Sequence, residues 1–148
     1  GPAALIRGMS VIQSNATSGA SPITQAAAVA ALSGEQGIVS AMRDTYRCRR
    51  DLVIDALRTI PSLSCAVPDG AFYVYPNVSG LIGRTSAGGR ALATDDDVAM
   101  ALLEETFVAT VPGSAFGLSP YLRLSVASSD AALAQACTRI GAFCEECR

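Results

Sequence analysis

Up to Pro61 the apolar residues of this chain recur every three or four positions, and beyond it they do not. A three-to-four spacing keeps side chains on one face of a helix, whereas alternation belongs to strands. The change of period therefore predicts helices first and a mixture of short strands and helices after, an α/β chain. Leu5, Ile6, Met9 and Ile12 mark a first helix within Gly1 to Thr17, and Asn15 to Ala20 supplies turn residues. A second, alanine-rich helix starts at Ser21-Pro22, where serine can cap and proline suits the first helical position. It is expected to stop at Gly34 with a left-handed residue. From about Glu35 to Ile60, Ile38, Met42, Tyr46, Val53, Leu57 and Ile60 form an apolar stripe opposite arginines and aspartates. A helix of that length can connect two bodies, and the change of architecture falls near Val39 to Arg50.

After Pro61 the expected elements are short. Leu63 to Val67 and Ala71 to Tyr75 read as strands around the turn Pro68-Asp69-Gly70. Ser79 to Ala93 is rich in Gly and Ser and reads as a mobile surface loop. Thr94, with Asp97 three residues on, has the form of a capping box, and Asp95 to Asp97 suit the positive end of a helix dipole. Phe107 to Val111 and Tyr121 to Ala127 read as further strands, and Ser129 or Ser128 caps a last helix through Cys144. A small sheet flanked by helices follows from these elements.

Composition limits the chemistry. The 148 residues include no histidine, and all 11 basic residues are arginine, so there is no lysine. A net charge of −2 disfavours nucleic acid and anionic membrane as partners. Apolar runs end well short of the roughly 18 residues a span needs, and no basic segment precedes an apolar run, so no secretory leader is expected. The five cysteines are odd in number and scattered, which fits reduced cytosolic thiols. No metal site is expected. Cys144-Glu145-Glu146-Cys147 has neither a second pair nor a histidine, and it sits at a helix C-terminus, the wrong end for a redox pair. Tyr46 to Arg50 reads as a solvated helix face, and Gly83 to Arg90 lacks the spacing and lysine of a phosphate loop.

Arg123 stands out on physical grounds. In Tyr121 to Val126, Leu122, Leu124 and Val126 take one face of a strand, while Tyr121, Arg123 and Ser125 take the other. An arginine in an inner strand needs an anionic partner, because an unpaired buried charge is costly. A guanidinium can bind a carboxylate through two parallel hydrogen bonds. Spacing alone leaves open whether the carboxylate is an Asp or Glu of the chain or a ligand.

Several strings taken in order carry a resemblance. They are Ile12-Gln13-Ser14-Asn15-Ala16-Thr17-Ser18, Met42-Arg43 through Arg49-Arg50-Asp51-Leu52, Gly70-Ala71-Phe72-Tyr73, Val111-Pro112-Gly113-Ser114-Ala115-Phe116-Gly117 and Leu122-Arg123-Leu124-Ser125. Together they resemble the last third of bacterial class I aminotransferases of the aspartate and aromatic group, which depend on pyridoxal phosphate (PLP). The resemblance implies the carboxyl-terminal domain of the fold-type I PLP-dependent transferases. Residues 35–148 would form the small domain. Residues 1–34 would be a helical segment of the large domain and dimer interface.

It further implies a cytoplasmic homodimer that moves an amino group between an amino acid and a 2-oxo acid. Arg123 takes the α-carboxylate in that picture. Phe72 borders the substrate pocket, with plain core packing as the alternative. Ser18 lies in a loop that reaches the neighbouring subunit's cofactor phosphate. Gly19-Ala20 depart from the Asn-Pro common there, so a solvated loop stays open. No catalytic residue is expected in the chain, because the lysine that binds PLP as a Schiff base precedes the matching segment along with most of the large domain. The chain alone is therefore expected to be inactive. The alternative is a non-catalytic, aminotransferase-like binding or regulatory module.

Overall fold

A computed structural model describes residues 1–148 and contains five α-helices, two 3₁₀ turns and five short strands. The chain divides into two compact units, Gly1–Ala41 and Met42–Arg148. The division falls inside a helix.

The first unit holds α1 (Ala3–Ala16), α2 (Pro22–Ser33) and the first turn of α3 (Gly37–Arg58). Neither α1 nor α2 has a buried residue. Leu5, Met9, Ile12, Ile23, Val29 and Leu32 all face outward. Two expected caps differ. Ser21 occupies the N-cap of α2 without a side-chain hydrogen bond. Gly34 ends α2 in an extended conformation, φ −77° and ψ −178°, rather than a left-handed one. Glycine suits it for another reason: a Cβ there would lie 2.8 Å from the Ala30 carbonyl oxygen.

The core lies in the second unit, where the apolar stripe of α3 is buried from Val53 through Leu57. Val53, Ile54 and Leu57 join Val74, Val78, Leu81, Leu92, Leu102, Leu122 and Val126. Leu133, Ile140 and Phe143 of α5 (Asp130–Glu146) belong to the same cluster. Burying a side chain of the size of Leu57 contributes about 1.5–3 kcal/mol. Cys137, Cys144 and Cys147 are buried in this core as free thiols. Burial pushes the Cys144 thiol up to about 11. It is protonated at neutral pH and a poor nucleophile or ligand.

Strand β5 (Leu122–Ser125) is the centre of a three-stranded antiparallel sheet between β2 (Tyr73–Val74) and β4 (Val111–Pro112). Strand β1 (Ser64–Cys65) pairs with β3 (Pro76–Asn77), an element that sequence reading missed. Two other expectations are corrected. Phe107 lies in no strand. It closes α4 (Asp95–Thr106) in the left-handed region, φ 58°, and is 81% exposed. The segment from Ser79 to Ala93 is pinned rather than loose. Leu81 and Leu92 are buried in the core, and the Ser86 hydroxyl and Gly88 N–H both donate to Glu105, at 2.6 and 3.1 Å. Arg148 and Thr85 exchange backbone hydrogen bonds at 2.7 and 3.0 Å, which ties this segment to the last residue.

The predicted capping box forms at the start of α4. Asp97 N–H donates to the Thr94 hydroxyl, and Thr94 N–H donates to the Asp97 carboxylate. The Thr94 hydroxyl also donates to that carboxylate and, with the backbone donors, holds it below the usual carboxyl range. The contribution is present at neutral pH and is lost as pH falls through the depressed value. At α5, Ser129 accepts from Ala132 N–H at 3.3 Å; here the cap is the serine alone.

Candidate functional site

The register of β5 decides what surrounds Arg123. Val111 lies opposite Arg123 and Tyr73 opposite Ser125. In an antiparallel pair opposite residues share a face, and diagonal neighbours two positions on are within reach of long side chains. Tyr73 is such a diagonal neighbour. Leu122 is buried on the other face, with Val126 beyond the strand end. The predicted alternation holds, and β5 is the inner strand it required.

The Arg123 guanidinium carbon lies 4.6 Å from the Tyr73 ring centre and 4.4 Å from that of Phe116. No carboxylate of the chain pairs with it; the four ion pairs are Arg43–Asp44, Arg49–Asp130, Arg50–Asp51 and Arg90–Glu104. Aromatic faces carry negative potential and favour a cation above them. They leave the five in-plane N–H donors of the guanidinium unspent. The arrangement can therefore receive a planar anion, above all a carboxylate.

Phe72 is 43% exposed, so plain core packing does not describe it. Its ring centre is 4.5 Å from that of Tyr73 and 6.1 Å from that of Tyr46. Tyr73 thus links Phe72 to Arg123. The Phe72 carbonyl accepts Val126 N–H at 2.9 Å, which continues the β2–β5 ladder. Ala71 just before it adopts φ 64°. A left-handed alanine is uncommon, and this turn aims Phe72 outward.

Beside Phe72, Arg43, Tyr46, Arg47 and Arg50 of α3 face Asp69, Gly70 and Ala71 across a cavity of about 360 Å³. The solvated face expected of Tyr46 to Arg50 is corrected in part. Arg47 and Arg50 line this cavity, while Arg49 turns to Asp130. Arg50 also donates to the Pro68 carbonyl at 3.1 Å. Ser18 belongs to the other unit, where it is exposed with φ 53° in the turn after α1.

Sequence reading missed three contributors: Tyr73, Phe116 and Asp95. The first two stand in the Gly70–Tyr73 and Val111–Gly117 segments, but only strand register and a folded turn bring them to Arg123. Asp95 looked like one of three capping carboxylates. It is 1% exposed and accepts Ser114 N–H at 2.9 Å.

Comparison with known proteins identifies the family. Residues 1–140 match the family described as aminotransferase class I and II. The chain is 52% identical over 144 residues to an aspartate/prephenate aminotransferase of Cereibacter sphaeroides, covering 97% of the chain and 36% of that protein. It is 48% identical over 145 residues to an aspartate aminotransferase of Rhizobium meliloti, covering 98% of the chain and 35% of that protein. The crystal structure of the aspartate aminotransferase from Rhizobium meliloti superposes with a TM-score of 0.87 at 46% identity, covering all of this chain and 37% of that one. An aromatic aminotransferase from Pyrococcus horikoshii gives 0.78 at 32% identity, covering 98% and 37%. The chain thus spans little more than a third of the length of these relatives. Its helices and small sheets are those of a portion of the fold-type I aminotransferases. On the family match, the identities and the superpositions together, the chain belongs to the class I and II aminotransferases.

Proposed function

We propose that this chain is the carboxyl-terminal portion of a PLP-dependent aminotransferase that moves an amino group between an amino acid and a 2-oxo acid. In this reading Arg123 grips the substrate α-carboxylate. The observation that carries it is an arginine on the central strand, set against two rings, with no acidic partner in its own chain. Phe72, outward and stacked on Tyr73, borders the same pocket. Likeness to the aspartate and aspartate/prephenate enzymes makes a dicarboxylic amino acid the first substrate class to test.

The residues present do not fit covalent retention of PLP. That cofactor is held through a lysine amine, and the chain has none. Arginine cannot replace it, because its pKa stays above about 12. No reaction step is assigned to the chain alone. PLP and borohydride added to the chain are expected to label no side chain, with any label confined to the N-terminal amine. Mass spectrometry of the digested protein checks this, and a reduced adduct on any side chain refutes it.

Residues 1–34 are proposed to belong to the large domain and dimer interface, and residues 35–148 to the small domain of a cytoplasmic homodimer. Ser18 would approach the cofactor phosphate of the neighbouring subunit. The outward apolar residues of α1 and α2 support this, since exposed patches above a few hundred Å² tend to associate. Sedimentation of the isolated chain is expected to show mass above the monomer, and removal of residues 1–34 should restore a monomer. A chain that stays monomeric at all concentrations counts against the assignment.

The absence of lysine also suits a second reading, a non-catalytic binding module. The coding sequence before Gly1 separates the two. A continuous frame containing a lysine followed by a Gly-Trp-Arg-like run supports the enzyme. A stop or an unrelated domain supports the module.

A further inference from the structure

Asp95 is the one acidic side chain buried in the protein. Burying a carboxylate is costly unless hydrogen bonds compensate it. What it receives is the backbone N–H of Ser114, 2.9 Å away. Ser114 lies in the 3₁₀ turn Gly113–Phe116, whose last residue carries the ring over Arg123. The far side of the turn is held too: Gly113 N–H donates to the Tyr121 carbonyl at 2.7 Å, and Leu118 N–H donates to the Gly113 carbonyl at 3.0 Å. The Phe116 ring is further steadied edge-on by Tyr75, at 6.4 Å and 83°.

We infer that Asp95 is a positioning residue, which sets the Phe116 ring through the Ser114 N–H and so orients the Arg123 guanidinium for a carboxylate. The inference rests on the reading of Arg123 as the carboxylate fork. Its physical sense lies in what the rings replace. An acidic neighbour would orient Arg123 equally well, but it would occupy the N–H donors and compete with the substrate. A ring orients the cation by its face and leaves those donors free. An exposed ring needs a fixed backbone beneath it, and the buried Asp95 carboxylate provides one. A charged acceptor makes a stronger hydrogen bond to N–H than a neutral one.

The test reads Arg123 directly. Proton NMR of the full chain should show Arg123 Hδ and Hε shifted upfield by the rings. Phe116→Leu should move these signals toward their random-coil positions. Asp95→Ala, or Asp95→Leu if the alanine variant does not fold, should move them the same way by a smaller amount while the other β5 signals stay. In the complete enzyme, Phe116→Leu is expected to lower kcat/KM about tenfold, mostly through KM, and Phe116→Tyr to recover most of it. Arg123 signals unmoved in Phe116→Leu, or unmoved in the Asp95 variant, overturn the inference. Failure of the underlying reading looks different: Arg123→Leu then leaves kcat/KM unchanged while the NMR shifts still respond to Phe116 and Asp95.

Discussion

Replacing Arg123 by Leu in the complete aminotransferase is expected to cut kcat/KM for every amino-acid substrate by roughly 2–5 kcal/mol, the loss typical of truncating one side of a buried, hydrogen-bonded charge pair. At tenfold per about 1.4 kcal/mol, this is about thirty-fold to a few thousand-fold. Arg123→Lys keeps the charge but loses the two-pronged geometry, and it should recover only part. Stability should change little, because Arg123 has no ion pair to lose within the chain and touches Tyr73 and Phe116 through their faces. Steady-state kinetics and thermal melting of the same preparations decide it. Normal kcat/KM with a lowered Tm would mean that Arg123 serves the fold and not the substrate.

Gly113→Ala is expected to be the most damaging single-methyl change in the chain. An added Cβ would lie 2.1 Å from the Leu118 carbonyl oxygen, 2.8 Å from Tyr121 Cβ and 3.0 Å from the Tyr121 carbonyl oxygen. Two of these neighbours are backbone and cannot rotate away. Overpacking of this kind costs about 1–3 kcal/mol, occasionally more, and Gly113 stands at the upper end. The same change breaks the approach of the turn to Tyr121, so Arg123 should lose Phe116 as well as stability. Gly70→Ala is the control, since nothing lies within 4 Å of its added Cβ. Urea unfolding should separate the two clearly. Similar midpoints would show that the Gly113 turn can relax, which would remove the rigidity the Arg123 site needs.

The string Gly83 to Arg90 shows how local composition can miss its setting. Gly and Ser suggested a mobile loop. Leu81 and Leu92, two positions beyond its two ends, instead enter the core, and Glu105 of α4 accepts from its Ser86 and Gly88. Nothing in the loop's own residues announces Glu105, which lies 19 and 17 positions away. Phe107 fails for a related reason. Its β-favouring side chain is overruled by its place at the end of α4, where the backbone turns left-handed to close the helix. The Pro76–Asn77 strand was invisible because two residues hold no period.

What the sequence by itself determined is everything that depends on near neighbours. The helix period before Pro61, the Thr94–Asp97 box and the Ser129 cap are contacts within four residues, so composition and spacing decide them. So is the face of Arg123, because a strand alternates whatever it pairs with. The absence of lysine excludes a chemistry without any structure at all. What only the tertiary structure decided is who stands beside Arg123. Tyr73 reaches it through the register of β2 on β5, and Phe116 reaches it through a turn that Asp95 holds from 19 positions away. Pairing register and turn anchoring depend on long-range packing of α3, α4 and α5 under the sheet, and no local pattern carries that information.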